Sequence, residues 1–172
     1  MIYKIRQETP EDYREVYELV RLSFASAAHS DGTEADYLNE VRGKDTFIPE
    51  LSLAAEEKSG RLIGQIVMQR TNIAAVEGDA AALVISPVCV HPEFFRKGIA
   101  RAMIKQASEQ ALSMGYAAVF LCGDPQIYQR LGFRPSYEFS VFHKDDPSAP
   151  WCMCIELAEG ALQDIEGTID IV

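Results

Sequence analysis

Three consecutive segments in the middle of the chain restrict the fold most strongly. Residues 81–90 have the pattern of a strand, residues 97–114 repeat apolar side chains at helical spacing, and residues 117–122 form a continuous apolar run. A continuous apolar run is typical of a strand that is covered on both faces and lies parallel to its neighbour. Parallel strands need a long crossover connection, which a helix commonly provides. The pattern therefore predicts one strand–helix–strand crossover unit.

Antiparallel strands are predicted before this unit. Leu51–Glu56 and Leu62–Thr71 are β-rich segments, and the turn sequence Lys58-Ser59-Gly60-Arg61 between them favours a hairpin. The other predicted elements are a strand at 2–6, helices near 10–26 and 34–42, a short helix before Gly132 and a strand over Trp151–Leu157. This order indicates an α+β fold, with a mixed, mostly antiparallel sheet and helices on both faces, in one domain over residues 1–172.

Composition and charge argue against several classes of protein. The formal net charge is −10, and binding to nucleic acid or to anionic membranes depends mainly on cationic side chains. The chain has no leader-like apolar segment at its start and no run of about eighteen apolar residues, so we expect a cytoplasmic protein that does not bind membranes. The four cysteines form no CxxC pair, so we expect reduced thiols and no metal site.

The segment from Val90 to Arg101 joins the end of a strand to the start of a helix. Arg96 and Lys97 precede Gly98 there, and the small residue Ala100 follows. A helix start offers unpaired amides and a partial positive charge, which together bind phosphate oxygens. The nucleotide-binding motifs GxxxxGK[ST] and GxGxxG do not occur in the sequence. The segment predicts a phosphorylated cofactor held in another way, and simple packing of the helix is the alternative.

The order of motifs around this loop resembles the GNAT (GCN5-related) family of N-acetyltransferases. Val-x-Pro at 90–92 is followed by Arg96-Lys97-Gly98-Ile99-Ala100, a helix, a buried strand and Tyr128-Gln129-Arg130-Leu131-Gly132-Phe133. Residues 123–128 and 132–135 are similar to the bacterial YhbS-like branch of that family. The resemblance implies a GNAT-like sheet with a splayed parallel strand pair. It also implies acetyl-CoA as cosubstrate and transfer of the acetyl group to a primary amine of a small molecule, peptide or protein.

The resemblance also implies which residues contact coenzyme A. Loop amides would hold the pyrophosphate, and Val88 and Val90 would pair with the pantetheine amides. Phe95 departs from the family pattern, which has Gln or Arg at that position. Pro87 indicates either that its strand lies at a sheet edge or that the sheet splays beside it. The predicted cofactor-binding residues are Val88, Cys89, Val90, Phe95, Arg96, Lys97, Gly98, Ile99, Ala100 and Arg101.

Two groups are predicted to act in catalysis. Tyr128 matches the family tyrosine that protonates the departing thiolate, and the backbone amide of Val88 would stabilise the oxyanion. Tyr128 packing as a core aromatic against Leu131 and Phe133 is the alternative. Cys89 has no basic neighbour in sequence, so direct transfer is expected rather than an acetyl-cysteine. No general base is assigned, the candidates being His91, Glu34, Asp36 and Asp124.

Other functions stay open from the sequence. Phe95 and the missing base also fit a non-catalytic module that binds acyl-CoA as a sensor, and the basic loop also fits a nucleotide-binding enzyme. The acceptor pocket is expected from residues 24–50 and the late strands. Residues 159–172 are expected either to cover the sheet or to pack against a second subunit in a homodimer.

Overall fold

The computed structural model describes residues 2–172, which divide into two compact units. The first runs to Gln69 and resumes over Ser86–Ala107, and the second comprises Arg70–Ile85 and Ser108–Val172. That residues 1–172 form one domain stays a prediction. In chain order the elements are β1 (Tyr3–Gln7), α1 (Tyr13–Phe24), α2 (Glu34–Arg42), β2 (Ser52–Glu57), β3 (Leu62–Ala75), β4 (Ala80–Val90), α3 (Ile99–Ser113), β5 (Ala118–Cys122), α4 (Pro125–Tyr128), β6 (Arg134–Pro135), β7 (Val141–His143), β8 (Cys152–Glu156) and β9 (Gly167–Ile169).

The first unit packs α1 and α2 on one face of its antiparallel strands. β1 pairs with β2. β2 pairs with β3, and these two strands form the predicted hairpin. Apolar residues recur every three or four positions along both helices, so each helix presents one apolar stripe to the sheet. The buried residues of this core are Val16, Leu19, Val20, Ala35, Leu38, Val41, Ala54, Leu62, Val67 and Cys89.

The second unit is built around β5. Its five residues all pair with antiparallel β8, whereas its parallel pairing with β4 consists of Leu83 with Val119 and Val84 with Phe120. β9 pairs with β3 and with β7, and Leu162, Ile169 and Ile171 are buried in this unit's core. Residues 159–172 therefore contribute to the core of their own chain. This corresponds to the first of the two predicted alternatives, in which the segment covers the sheet.

The predicted fold class is confirmed, including the parallel strands on either side of a helix. The structure differs from the predicted elements in three respects. Helix α3 begins at Ile99 rather than at residue 97, because Gly98 has φ of 79° and cannot lie inside a helix. The edge interpretation of Pro87 is wrong, because β4 lies between β3 and β5 in the sheet. The three-residue strands β7 and β9 were not predicted.

Candidate active site

The loop after β4 is held by His91 and Arg61. The Nδ1 atom of His91 accepts a hydrogen bond from the amide of Glu93 at 3.2 Å, and its Nε2 atom lies 2.8 Å from a guanidinium nitrogen of Arg61. Arg61 also pairs with the Glu93 carboxylate at 3.0 Å. Both ring nitrogens of His91 are therefore engaged by the loop and the hairpin turn, which explains its position better than the role of general base.

The start of α3 exposes backbone amides. The amide of Ala102 donates to the carbonyl of Gly98 at 3.0 Å, which is the first helical hydrogen bond. The helix therefore supplies no carbonyl to the amides of Ile99 and Ala100 in its first turn. A Cβ at Gly98 would meet no atom within 4 Å, so the space beside this turn is open. Arg96 also has a left-handed backbone, with φ of 61°, which is uncommon for a residue with a side chain.

Two aromatic residues, Phe94 and Phe95, are followed by two cations in this loop. Arg96 and Lys97 are exposed, and the Lys97 ammonium lies 4.9 Å from the ring centroid of Phe94. The Arg61 guanidinium lies 5.7 Å from the same ring. Phe95 has 47% of its surface exposed. The loop thus offers positive charge and an exposed aromatic side chain to an anionic ligand. The sequence contained no signal for Arg61, because only the fold brings the hairpin turn to this loop.

The predicted pantetheine strand lies at the end of β4. Val88 is half-buried, and Cys89 and Val90 are buried. Cys89 packs in the core formed with α1 and α2, and burial raises the pKa of its thiol to about 12. Among residues 2–172, no three His, Cys, Asp or Glu side chains are grouped closely enough to hold a metal ion. No helix in the same range is long and apolar enough to span a membrane.

Tyr128 lies in the second unit, whereas the predicted cofactor-binding residues lie in the first. Asp124 caps α4, because its carboxylate accepts a hydrogen bond from the Gln126 amide at 2.8 Å. The half-buried ring of Tyr128 packs edge-on against Phe133, with centroids 6.0 Å apart. Asp124 therefore serves as a helix cap, and Tyr128 has the aromatic contact that the alternative interpretation required.

Gly123 has a positioning role that the sequence did not reveal. The Tyr128 ring lies so close to this residue that a Cβ there would be 2.3 Å from Cε2 of the tyrosine. Real Cβ atoms are not found at such a distance, so only glycine leaves room for the ring in this orientation. The one available signal was the glycine directly after an apolar strand and before Asp-Pro, a pattern that by itself indicates only a turn.

The region expected to form the acceptor pocket contains a cavity in the first unit. It has a volume of about 290 Å³ and is lined by Arg21, Phe24, Glu34 and four small residues of the loop between α1 and α2. Asp36 lies nearby on α2 and accepts a hydrogen bond from the Tyr17 hydroxyl at 2.8 Å. Of the candidate bases in this region, Glu34 lines the cavity, whereas Asp36 is hydrogen-bonded to the Tyr17 hydroxyl.

Comparison with known proteins identifies the family of this chain. Residues 4–136 match the model of the acetyltransferase (GNAT) domain. The chain is 28% identical over 167 residues to the uncharacterized N-acetyltransferase YhbS of Escherichia coli K12, covering 96% of this chain and 94% of that protein.

Two solved structures of relatives have ligands. E. coli YhbS in complex with CoA superposes with a TM-score of 0.84 at 26% identity, over 99% of this chain and 89% of that one. A GNAT acetyltransferase from Brucella melitensis in complex with acetyl-CoA gives a TM-score of 0.77 at 23% identity, over 99% and 96% of the two chains, and supports the fold. The predicted family is confirmed: this chain belongs to the GNAT family of acetyltransferases.

Proposed function

We propose that this protein is an acetyl-CoA-dependent N-acetyltransferase that transfers the acetyl group directly to a primary amine of a small molecule, peptide or protein. The start of α3 carries the proposal. Its first helical hydrogen bond is formed by Ala102, so the amides of Ile99 and Ala100 are left to bind an anion, and Arg96 and Lys97 add positive charge. Left-handed Gly98 has open space where a side chain would otherwise stand. These features suit the pyrophosphate of coenzyme A.

In this proposal the end of β4 holds the thioester arm. Pairing of β4 with β5 consists of Leu83 and Val84, and Val88 lies four residues beyond the last pair. Pantetheine amides would pair with the backbone of Val88 and Val90 in the manner of an added strand. The amide of Val88 would then donate to the thioester oxygen, where negative charge grows as the amine attacks.

Tyr128 supplies the proton that the reaction needs at sulfur. The amine nitrogen forms a bond to the carbonyl carbon, and the carbon–sulfur bond breaks as the tetrahedral intermediate collapses. The Tyr128 hydroxyl donates its proton to the departing thiolate, because a phenol retains its proton at neutral pH. The proton lost by the amine goes to water, and water returns one to the phenolate. The products are an amide and free coenzyme A.

Burial of Cys89 supports direct transfer. Formation of an acetyl-cysteine would require its thiolate, and desolvation raises the pKa of this thiol to about 12. The side chain also belongs to the apolar core beneath α1 and α2. A nucleophile needs access to the substrate, so the packing of Cys89 favours a structural role.

Ligand binding and turnover test the proposal together. We expect thermal stabilisation by acetyl-CoA and coenzyme A but not by ATP, and release of coenzyme A when a panel of amines is added. Tyr128→Phe should lower kcat on the order of a hundredfold with the Kd for acetyl-CoA unchanged. Tyr137→Phe is the matched control, because Tyr137 is an exposed tyrosine of the same unit.

Three outcomes would contradict the proposal. Stabilisation by ATP alone would favour a nucleotide-binding enzyme. Tight acetyl-CoA binding without turnover across a broad amine panel would favour the acyl-CoA sensor. Equal kcat values for Tyr128→Phe and the wild type would remove Tyr128 as the acid.

A further inference from the structure

Four polar side chains of the first unit form a hydrogen-bonded group that we name the Gln69 cluster: Gln69, Tyr37, Thr46 and Ser86. Gln69 is only 6% exposed and Ser86 only 5%. The Gln69 carbonyl oxygen accepts from the Thr46 hydroxyl at 2.8 Å. Its Nε2 atom donates to the Tyr37 hydroxyl and to the Ser86 hydroxyl, both at 3.1 Å. The side-chain amide of Gln69 thereby orients three hydroxyl groups: that of Tyr37 in α2, that of Thr46 in the following loop and that of Ser86 in β4.

The hydrogen-bond roles leave two hydroxyl protons for a ligand. A hydroxyl that accepts a bond from an amide still has its own proton to donate. Both Tyr37 and Ser86 accept from Gln69, and neither donates to an acceptor within the described part of the chain, residues 2–172. Tyr37 is half-buried rather than enclosed. The cluster therefore presents two O–H donors, both bonded to the Nε2 atom of Gln69.

The separation of these donors selects the shape of the ligand group. The two N–H bonds of a planar amide diverge by about 120°, so hydroxyl oxygens bound to them lie about 5 Å apart. One ligand oxygen bonded to both hydroxyls would have to lie between them, in contact with the Gln69 nitrogen. A planar group with two oxygens avoids this clash, since each oxygen bonds to one hydroxyl. A carboxylate has this shape.

Charge and location agree with a carboxylate of the acceptor substrate. The Lys44 ammonium lies 5.0 Å from the centroid of the Tyr37 ring, which places a positive charge beside the phenol. Ser86 is two residues from Val88 in β4, and Val88 is the residue proposed to face the thioester. A zwitterionic acceptor brings no net negative charge to a chain whose own net charge is −10.

We propose that the Gln69 cluster binds the carboxylate of an amino-acid-like acceptor, with Tyr37 and Ser86 as the two donors and Gln69 as the positioning residue. This inference rests on the proposed function, because it names the substrate class of the same site. The acceptor then carries both a primary amine, which is acetylated, and a free carboxylate, which fixes its orientation.

Matched probes test the carboxylate directly. Each proteinogenic L-amino acid is compared with its carboxamide and its decarboxylated amine, and phosphoethanolamine is included as an aminoalkyl phosphate. We expect at least one acid to exceed its two analogues tenfold or more in kcat/KM. Binding of the same probes to the CoA-saturated protein and to the protein alone is measured by saturation-transfer NMR, so the result does not depend on turnover.

Single variants separate recognition from folding. Tyr37→Phe and Ser86→Ala should each lower kcat/KM for the preferred acid about tenfold, mainly through KM, because a hydrogen bond to a charged group is lost. The same variants should change kcat/KM for the carboxamide less than about twofold, whereas a folding defect would affect both. Ser86→Thr should restore most of the preference. Tyr17→Phe, which removes a phenol bonded to Asp36 instead, should leave it intact.

The outcomes distinguish the two proposals. Equal turnover or binding of acids and carboxamides, a preference for phosphoethanolamine, or an acid preference that survives in both variants would overturn the carboxylate site while leaving the acetyltransferase intact. Failure to bind acetyl-CoA would overturn the proposed function, and the NMR measurement on the protein alone would still decide the carboxylate site.

Discussion

The ring of Tyr128 lies directly over the backbone of Gly123, so that a Cβ at position 123 would be 2.3 Å from Cε2 and 2.6 Å from Cδ2 of that ring. Phe133 packs edge-on against the same ring. The tyrosine is thus held by a glycine at the end of β5 and by an aromatic side chain that follows α4. A change at Gly123 therefore acts on the proposed catalytic acid through its position.

Gly123→Ala should displace the Tyr128 ring and lower kcat by tenfold or more, because proton transfer requires the hydroxyl within hydrogen-bond distance of sulfur. The Kd for acetyl-CoA should change less than about twofold, since the predicted phosphate contacts lie at α3. Steady-state kinetics and calorimetric titration measure the two quantities.

The control for this prediction is Gly43→Ala. A Cβ at Gly43 would lie 3.5 Å from the Glu40 carbonyl oxygen, an ordinary contact, and the backbone there does not have a positive φ. If both glycine variants had wild-type kcat, the positioning role of Gly123 would be wrong.

Gly98→Ala should weaken acetyl-CoA binding tenfold or more, because the added methyl group would enter the open space proposed for the pyrophosphate. Gly115→Ala is a closely matched control. Both glycines have a positive φ, 79° and 92°, and neither Cβ would meet an atom within 4 Å. Each substitution should therefore cost about 1 kcal/mol of stability through backbone strain. Equal acetyl-CoA affinities in the two variants would contradict the placement of the phosphate site.

Two glutamines of β3 should respond in opposite directions to the same substitution. Gln65 is fully buried, and neither of its amide atoms has a partner among residues 2–172. Gln65→Met should raise the free energy of unfolding by about 1 kcal/mol, because an unsatisfied buried amide is removed. Gln69→Met should lower it by about 1–3 kcal/mol, because three hydrogen bonds are lost. Urea unfolding of both variants measures whether each substitution raises or lowers the free energy of unfolding. Two changes of the same sign would contradict this account.

Acid should weaken the link between β1 and the start of α1. Arg6 donates two hydrogen bonds to the Asp12 carboxylate, at 2.7 and 2.9 Å, and this interaction is the main cause that lowers the pKa of Asp12 from 3.8 to about 2. A carboxylate with a lowered pKa stabilises the fold above its unfolded-state pKa, and that stability is lost as the pH falls from about 4 to about 2.

Asp12→Asn should therefore lower the free energy of unfolding by about 1–2 kcal/mol at pH 7 and by much less at pH 2. Unfolding curves of the two proteins at a series of pH values give the difference directly. Glu11→Gln, an exposed neighbour in the same turn, is the control. A difference that did not depend on pH would show that the Arg6–Asp12 pair contributes little.

Local patterns were sufficient for the main elements. The helix predicted near 34–42 agrees with α2, because its apolar spacing and its ending at Gly43 are both local. The apolar run at 117–122 correctly indicated a parallel strand. In contrast, β7 and β9 consist of three residues each and exist because they pair with each other and β9 pairs with β3. No three-residue segment has enough periodicity to reveal such a partner.

The residues of the candidate site also divide into those with a local sequence signal and those without one. Gly98 was recognisable because a glycine beside two cations before a helix is a local pattern. The interaction of Arg61 with His91 joins residues that are far apart in sequence, and so do the hydrogen bonds of Gln69 to Tyr37 and Ser86. Each of these side chains, taken alone, is an ordinary polar residue.

The amino-acid sequence by itself determined the family, the order of the main helices and strands and the loop at the start of α3, because these depend on spacings within short segments. Only the tertiary structure decided that Gly123 supports Tyr128 and that Gln69 turns two hydroxyls into paired donors. The physical reason is that steric exclusion and hydrogen-bond direction depend on interatomic distances of a few ångströms, which arise once distant parts of the chain pack together.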